Sequence, residues 1–96
     1  MKLYRISQDE NDGYDTYDSA VVAAISEDEA KKIDPSGFRR WSDEKEMWMF
    51  QYADGTERPE SDHNSWASSP EKVKAEYIGE SARVEAGLVL ASFNAG

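Results

Sequence analysis

A chain of 96 residues has room for one domain, because dividing it would leave cores too small to be stable. Twenty acidic residues against eleven basic ones give a net charge of −9, which argues against nucleic acid and anionic membranes as direct partners, since their phosphates would be repelled. The lack of cysteine excludes disulfides and cysteine-based metal sites. We therefore expect a single small acidic α+β domain over residues 1–96.

The sequence also predicts the setting in which the protein acts. Its N-terminal segment lacks the apolar run of a signal peptide, and no apolar stretch approaches the roughly 18 residues that a membrane span needs. We expect a cytoplasmic protein. A basic protein surface is the natural electrostatic partner of such a chain, although a charge of this size also keeps a small protein soluble.

The first two predicted elements are strands separated by an acidic loop. Lys2 to Gln8 alternates, with Tyr4 and Ile6 on one face and Leu3 on the other. A second strand is predicted over 17–24, and its continuously apolar centre is typical of a strand that is covered on both faces.

A helix is predicted next, because Ser26 and Glu29 have the spacing of a capping box. Pro35 stops this helix near Ile33. The rest of the chain predicts further strands and connections: a strand over 45–53, a long polar loop over 56–70, a strand over 73–77, one helical turn within 79–87 and a buried strand over 88–93. The fold class that follows is α+β, a mostly antiparallel sheet of four to five strands with one main helix packed on one face.

The densest group of acidic residues lies in the loop from Asp9 to Asp18. Residues 1–30 carry eight acidic residues against two basic ones, whereas residues 31–46 carry four against five. Calcium binding is one interpretation of the loop, but Gly13 falls where an EF-hand needs its third oxygen ligand, and no glutamate closes the loop. A second interpretation is a mimic of a nucleic-acid backbone, in which carboxylates stand in for phosphates and tyrosines add apolar contact. A solvated loop is the third. The candidate partner-binding residues are Asp9, Glu10, Asp12, Tyr14, Asp15, Tyr17 and Asp18.

Other chemistry-bearing residues give weaker signals. His63 is the only histidine, and without a second histidine or any cysteine it is a poor transition-metal ligand. The basic pair Arg39 and Arg40 is expected to pair with local acids such as Asp43 and Glu44. The three tryptophans are expected in the core or at its edge. No catalytic motif is present, so we predict no enzyme activity, no catalytic residue, no metal and no cofactor.

Three segments are distinctive: MKLYRISQ at 1–8, YDTYDSAVVAA at 14–24 and LVLASFNAG at 88–96. Together they resemble a family of small, mostly uncharacterised proteins found in bacteria, prophages and phages, with a longer and more divergent middle over 37–64. The resemblance assigns no activity to any residue. It implies a phage-linked setting, in which small acidic proteins disable host defence complexes by binding them.

The expected function is therefore that of a non-enzymatic binding protein. Its acidic loop would occupy the basic nucleic-acid channel of a host defence complex of the CRISPR type, as an anti-CRISPR-like inhibitor. One alternative is a housekeeping or regulatory interaction protein, or a homodimer paired through an edge strand. A small enzyme or divalent-ion-binding protein that uses the acidic loop is the remaining alternative.

Overall fold

Two antiparallel sheets make up the described part of the chain. The computed structural model describes residues 1–11, 16–36, 39–51, 55–59, 66–82 and 85–94. Within these ranges lie seven strands, one short helix and one 3₁₀ turn: β1 (Lys2–Ser7), β2 (Thr16–Ala24), α1 (Glu27–Ala30), β3 (Arg39–Ser42), β4 (Met47–Gln51), β5 (Glu57–Pro59), the 3₁₀ turn (Pro70–Lys72), β6 (Lys74–Glu80) and β7 (Gly87–Asn94). The mostly antiparallel pairing that the sequence predicts is thus confirmed, but the strands are divided between two sheets and do not form the single sheet of four to five strands that was predicted.

The larger sheet has four strands in the order β6-β1-β2-β7. Strand β1 pairs with β2 from Lys2 opposite Ala24 to Ser7 opposite Ser19. Successive side chains of a strand point to opposite faces, so Tyr4 and Ile6 share one face, as predicted, and both are buried. Arg5 lies on the other face and is exposed.

The smaller sheet has the order β3-β4-β5, and its first strand, β3, lies where the sequence predicts neither a helix nor a strand. Strand β3 pairs with β4 so that Trp41 lies opposite Trp48. The tight turn between them places Glu46 at a φ of +52°, a conformation that non-glycine residues seldom adopt. Gly55 lies between β4 and β5, and its φ of +89° is one that glycine tolerates.

Side chains from both sheets share one core. Burying these apolar groups removes them from water and is the main force that holds the two sheets together. Buried members of this core include Ile6, Val22, Ile33, Trp48, Trp66 and Val73.

The prediction of one main helix is wrong, since α1 is a single turn and the fold is richer in β structure than expected. Its start is as predicted, because the Ser26 Oγ accepts a hydrogen bond from the Glu29 amide at 3.2 Å. The chain then leaves helical geometry before Ile33, which forms an isolated bridge with Arg40 of β3. Pairing with the smaller sheet therefore ends the helix earlier than Pro35 alone would require.

Three other predictions need correction. The polar loop predicted over 56–70 contains the short strand β5, which pairs with β4. Strand β7 is predicted as buried, but it lies at the edge of the larger sheet, where Leu90 is 67% exposed. The helical turn predicted within 79–87 is absent from its described part, because β6 extends to Glu80 and the described residues that follow are not helical. In the described ranges, no helix has the length and apolar character needed to cross a membrane.

Candidate acidic binding surface

The acidic loop is held at its start by the side chain of Gln8, which is only 7% exposed. The Gln8 Oε1 accepts hydrogen bonds from the amides of Glu10 and Asn11, each at 2.8 Å. The Gln8 Nε2 donates to the carbonyl of Asn11 at 2.6 Å and to that of Tyr17 at 2.9 Å. One side chain thus ties the end of β1 to the start of β2, a role that the sequence did not reveal.

The first two acidic residues of the loop, Asp9 and Glu10, form hydrogen bonds with other parts of the protein. Lys74 Nζ donates to Asp9 Oδ2 at 3.1 Å, and this hydrogen bond, reinforced by the lysine's charge, lowers the pKa of the Asp9 carboxyl. The two oxygens of Glu10 accept hydrogen bonds from the amide and the hydroxyl of Ser68, at 2.8 and 3.0 Å. Asn11 Nδ2 also donates to the carbonyl of Trp66 at 2.7 Å. These contacts fasten the loop to the 66–68 segment.

Of the remaining predicted partner-binding residues, only Tyr17 and Asp18 lie among the described residues. Asp12, Tyr14 and Asp15 lie outside the described residues. Tyr17 is half-buried and packs against the core, whereas Asp18 is exposed. Their assignment to a partner surface stays a prediction.

A second acidic feature, which we call the acidic groove, lies between α1, the β3–β4 hairpin and the 3₁₀ turn. It is a cavity of about 430 Å³, lined by Asp28, Lys32, Trp41, Asp43, Glu46, Ser69, Pro70 and Glu71. Four carboxylates face one ammonium group there. The sequence did not indicate this groove, because its lining comes from three separate segments that only the fold brings together.

Lys32 is the only cation in the lining of the acidic groove. Its Nζ donates to Asp43 Oδ2 at 3.0 Å and lies 3.5 Å from Asp28 Oδ2. The hydrogen bond to Asp43 raises the pKa of Lys32, with smaller contributions from the nearby negative charges. In the described part of the chain, Glu46 and Glu71 form no ion pair, so negative charge remains for a bound cation.

Trp41 forms the aromatic wall of the acidic groove, and the buried ring of Trp48 packs against it. Its ring meets that of Trp48 edge to face, with centroids 5.5 Å apart. Trp48 is itself buried, and its Nε1 donates to the carbonyl of Ala67 at 3.0 Å. A fixed indole beside several carboxylates suits a cationic side chain, which gains both ionic contact and attraction to the aromatic face.

The basic pair has partners other than those predicted. Arg39 Nε lies 3.5 Å from the buried carboxylate of Asp34, and Arg40 Nη2 donates to the carbonyl of Ala86 at 3.4 Å. Asp43, the predicted partner, instead binds Lys32. The two arginines therefore stabilise the fold.

Metal chemistry finds no support in the described ranges, where no group of three or more histidine, aspartate or glutamate side chains is arranged to hold a metal ion. His63 lies outside those ranges, so its role stays a prediction. No family model, no curated protein and no solved structure matches this chain.

Proposed function

We propose that this protein is a non-enzymatic binding module that receives basic side chains of a partner protein in its acidic groove. The observation that carries the proposal is the groove's lining, in which four carboxylates and a fixed indole face a single lysine. Lysine and arginine side chains are the groups that such a site favours. Neither a cofactor nor a metal has a part in this function.

The acidic groove and the acidic loop adjoin each other at Ser68. The carboxylate of Glu10 binds Ser68 from the loop side, and the next residue, Ser69, lines the acidic groove. A partner that covers both features would meet one extended negative surface. Electrostatic attraction would speed the encounter, and contact with Trp41 would slow release.

The proposed partner is a host defence complex guided by nucleic acid, acting in the cytoplasm. Such complexes line their nucleic-acid channels with lysine and arginine. A surface rich in carboxylates therefore competes with the phosphates of the nucleic acid for the same basic residues. The phage-linked resemblance of the chain supports this choice of partner.

The test measures how well the protein displaces a labelled target strand from a purified RNA-guided nuclease complex. The double variant Glu46→Gln/Glu71→Gln removes two groove carboxylates that have no described ion-pair partner. We expect at least a tenfold loss of competition, about 1.4 kcal/mol in binding free energy. Raising the salt concentration should weaken competition by the wild-type protein, because it screens opposite charges.

The matched control is Glu76→Gln/Glu85→Gln, which removes the same charge from exposed positions outside the groove. An equal loss in this control would mean that only net charge matters, and the groove would be rejected as the site. The variant Asp12→Asn/Asp15→Asn tests the loop predicted from the sequence. If the wild-type protein fails to compete at low salt, this partner class is wrong.

A further inference from the structure

Strand β7 is an edge strand without a single charged residue. In the described sheets, the only other strand without charge is β4, which lies between β3 and β5. The opposite edge of the larger sheet is β6, which carries Lys74, Glu76 and Glu80. Charged side chains at an edge hinder pairing with other chains, and β7 has none.

The side chains of β7 are also unusually apolar for an exposed edge. Leu90 is 67% exposed and Val89 is 46% exposed. Leu90 lies opposite Val21 in the register, and Val89 is an extra residue at the irregularity beside that pair. A shallow cavity of about 140 Å³ adjoins Leu90 on the sheet face that points away from the core.

We infer that the outer edge of β7 pairs antiparallel with β7 of a second copy of this chain, joining two four-stranded sheets into one sheet of eight strands. In the described part of the molecule, no strand occupies this outer edge. Pairing would form backbone hydrogen bonds between the copies and place the two exposed Leu90 side chains beside each other across the two-fold axis.

The charge distribution favours this edge as the contact between two copies. Two chains of net charge −9 repel each other, so a contact between them is most favourable where neither carries charge. Strand β7 meets that condition along its whole length. A basic partner, which the acidic groove would attract, finds no carboxylate on β7 to bind.

The test is sedimentation velocity over a range of protein concentrations. The wild-type protein should form a dimer whose dissociation constant falls as salt is added, because salt screens the repulsion between like-charged copies. Leu90→Lys should raise that constant at least tenfold, since it places a charge at the uncharged edge. The matched control is Ile78→Lys, which changes a 47% exposed residue on β6 and should leave the constant unchanged.

Cross-linking provides a second measurement that does not depend on weakening the dimer. Because the chain has no cysteine, an introduced thiol pairs only with its copy. Leu90→Cys should form a disulfide dimer under mild oxidation, and Ile78→Cys should form far less. Equal cross-linking of both variants, or a wild-type protein that stays monomeric at high salt and millimolar concentration, would overturn the inference.

The experiments can disprove the dimer and the proposed function independently of each other. Salt strengthens the association of like-charged copies and weakens binding to a basic partner. Leu90→Lys removes the first interaction, whereas Glu46→Gln/Glu71→Gln removes the second.

Discussion

At the scale of single residues, Gln8 shows how much structure one amide side chain can organise. It makes four hydrogen bonds at 2.6–2.9 Å, two as acceptor and two as donor, while almost wholly buried. The sequence places it only at the end of a predicted strand. Its role depends on the return of the chain at Tyr17, so no local pattern reveals it.

Gln8→Ala should therefore destabilise the protein more than a typical surface substitution. Loss of the side chain leaves two amides and two carbonyls in a part-buried turn without this partner, and we expect a cost of about 1–3 kcal/mol. Urea denaturation measures the free energy of unfolding. Gln8→Glu keeps the acceptor but not the donors and should lie between the wild type and alanine. An alanine variant as stable as the wild type would contradict this assignment.

The pair of Asp9 and Lys74 gives a pH prediction at the same scale. Because the folded state lowers the pKa of Asp9, its contribution to stability is present above the ordinary aspartate value of 3.8 and is lost as the pH falls through the lower folded value. An NMR titration of the Asp9 carboxyl should show this lowered pKa. Lys74→Gln should raise it towards 3.8, whereas Lys72→Gln, on the neighbouring 3₁₀ turn, should change it little. An unchanged Asp9 pKa in the Lys74 variant would contradict the pairing.

At the scale of elements, the start of helix α1 could be predicted from the sequence but its end could not. The capping residues of α1 lie only three positions apart in sequence, so Ser26 and Glu29 indicate the start of the helix correctly. In the structure the Glu29 carboxylate accepts from the Ile25 amide at 3.0 Å. The end of the helix depends on the bridge from Ile33 to Arg40, a tertiary contact that periodicity does not encode.

Ser26→Ala tests how much this cap stabilises the fold. The substitution removes the acceptor for the Glu29 amide, and the expected cost is about 1 kcal/mol. Thermal or urea unfolding measures it. Ser26→Asp restores an acceptor at the same position and should recover most of the loss. If alanine and aspartate behave alike, the cap does not stabilise the protein.

The strands show the same limit of sequence reasoning. The alternation in β1 predicts its buried face correctly, because Tyr4 and Ile6 contact the core through their own side chains. The apolar run in β7 predicts a strand but not its place in the sheet. Hydrophobicity alone does not distinguish a strand in the middle of a sheet from one at its edge.

At the scale of the whole molecule, the acidic loop could be predicted from the sequence but the acidic groove could not. The sequence located the loop from Asp9 to Asp18, where the acids are adjacent along the chain. The acidic groove combines Asp28, Asp43 and Glu71, which belong to different elements. Its assembly depends on how the smaller sheet packs beside α1, and this packing has no local signature.

The order of pairing in the larger sheet has a consequence for how the chain folds as it is synthesised. Strands β1 and β2 form a local hairpin, but the N-terminal amino group donates to the carbonyl of Ser81, 80 positions further along the chain. Loop closure over such distances is slow. Both edges of the hairpin are therefore exposed to aggregation until β6 and β7 pair with them. The first 30 residues carry eight acids against two bases, and this charge keeps nascent hairpins apart until β6 and β7 dock.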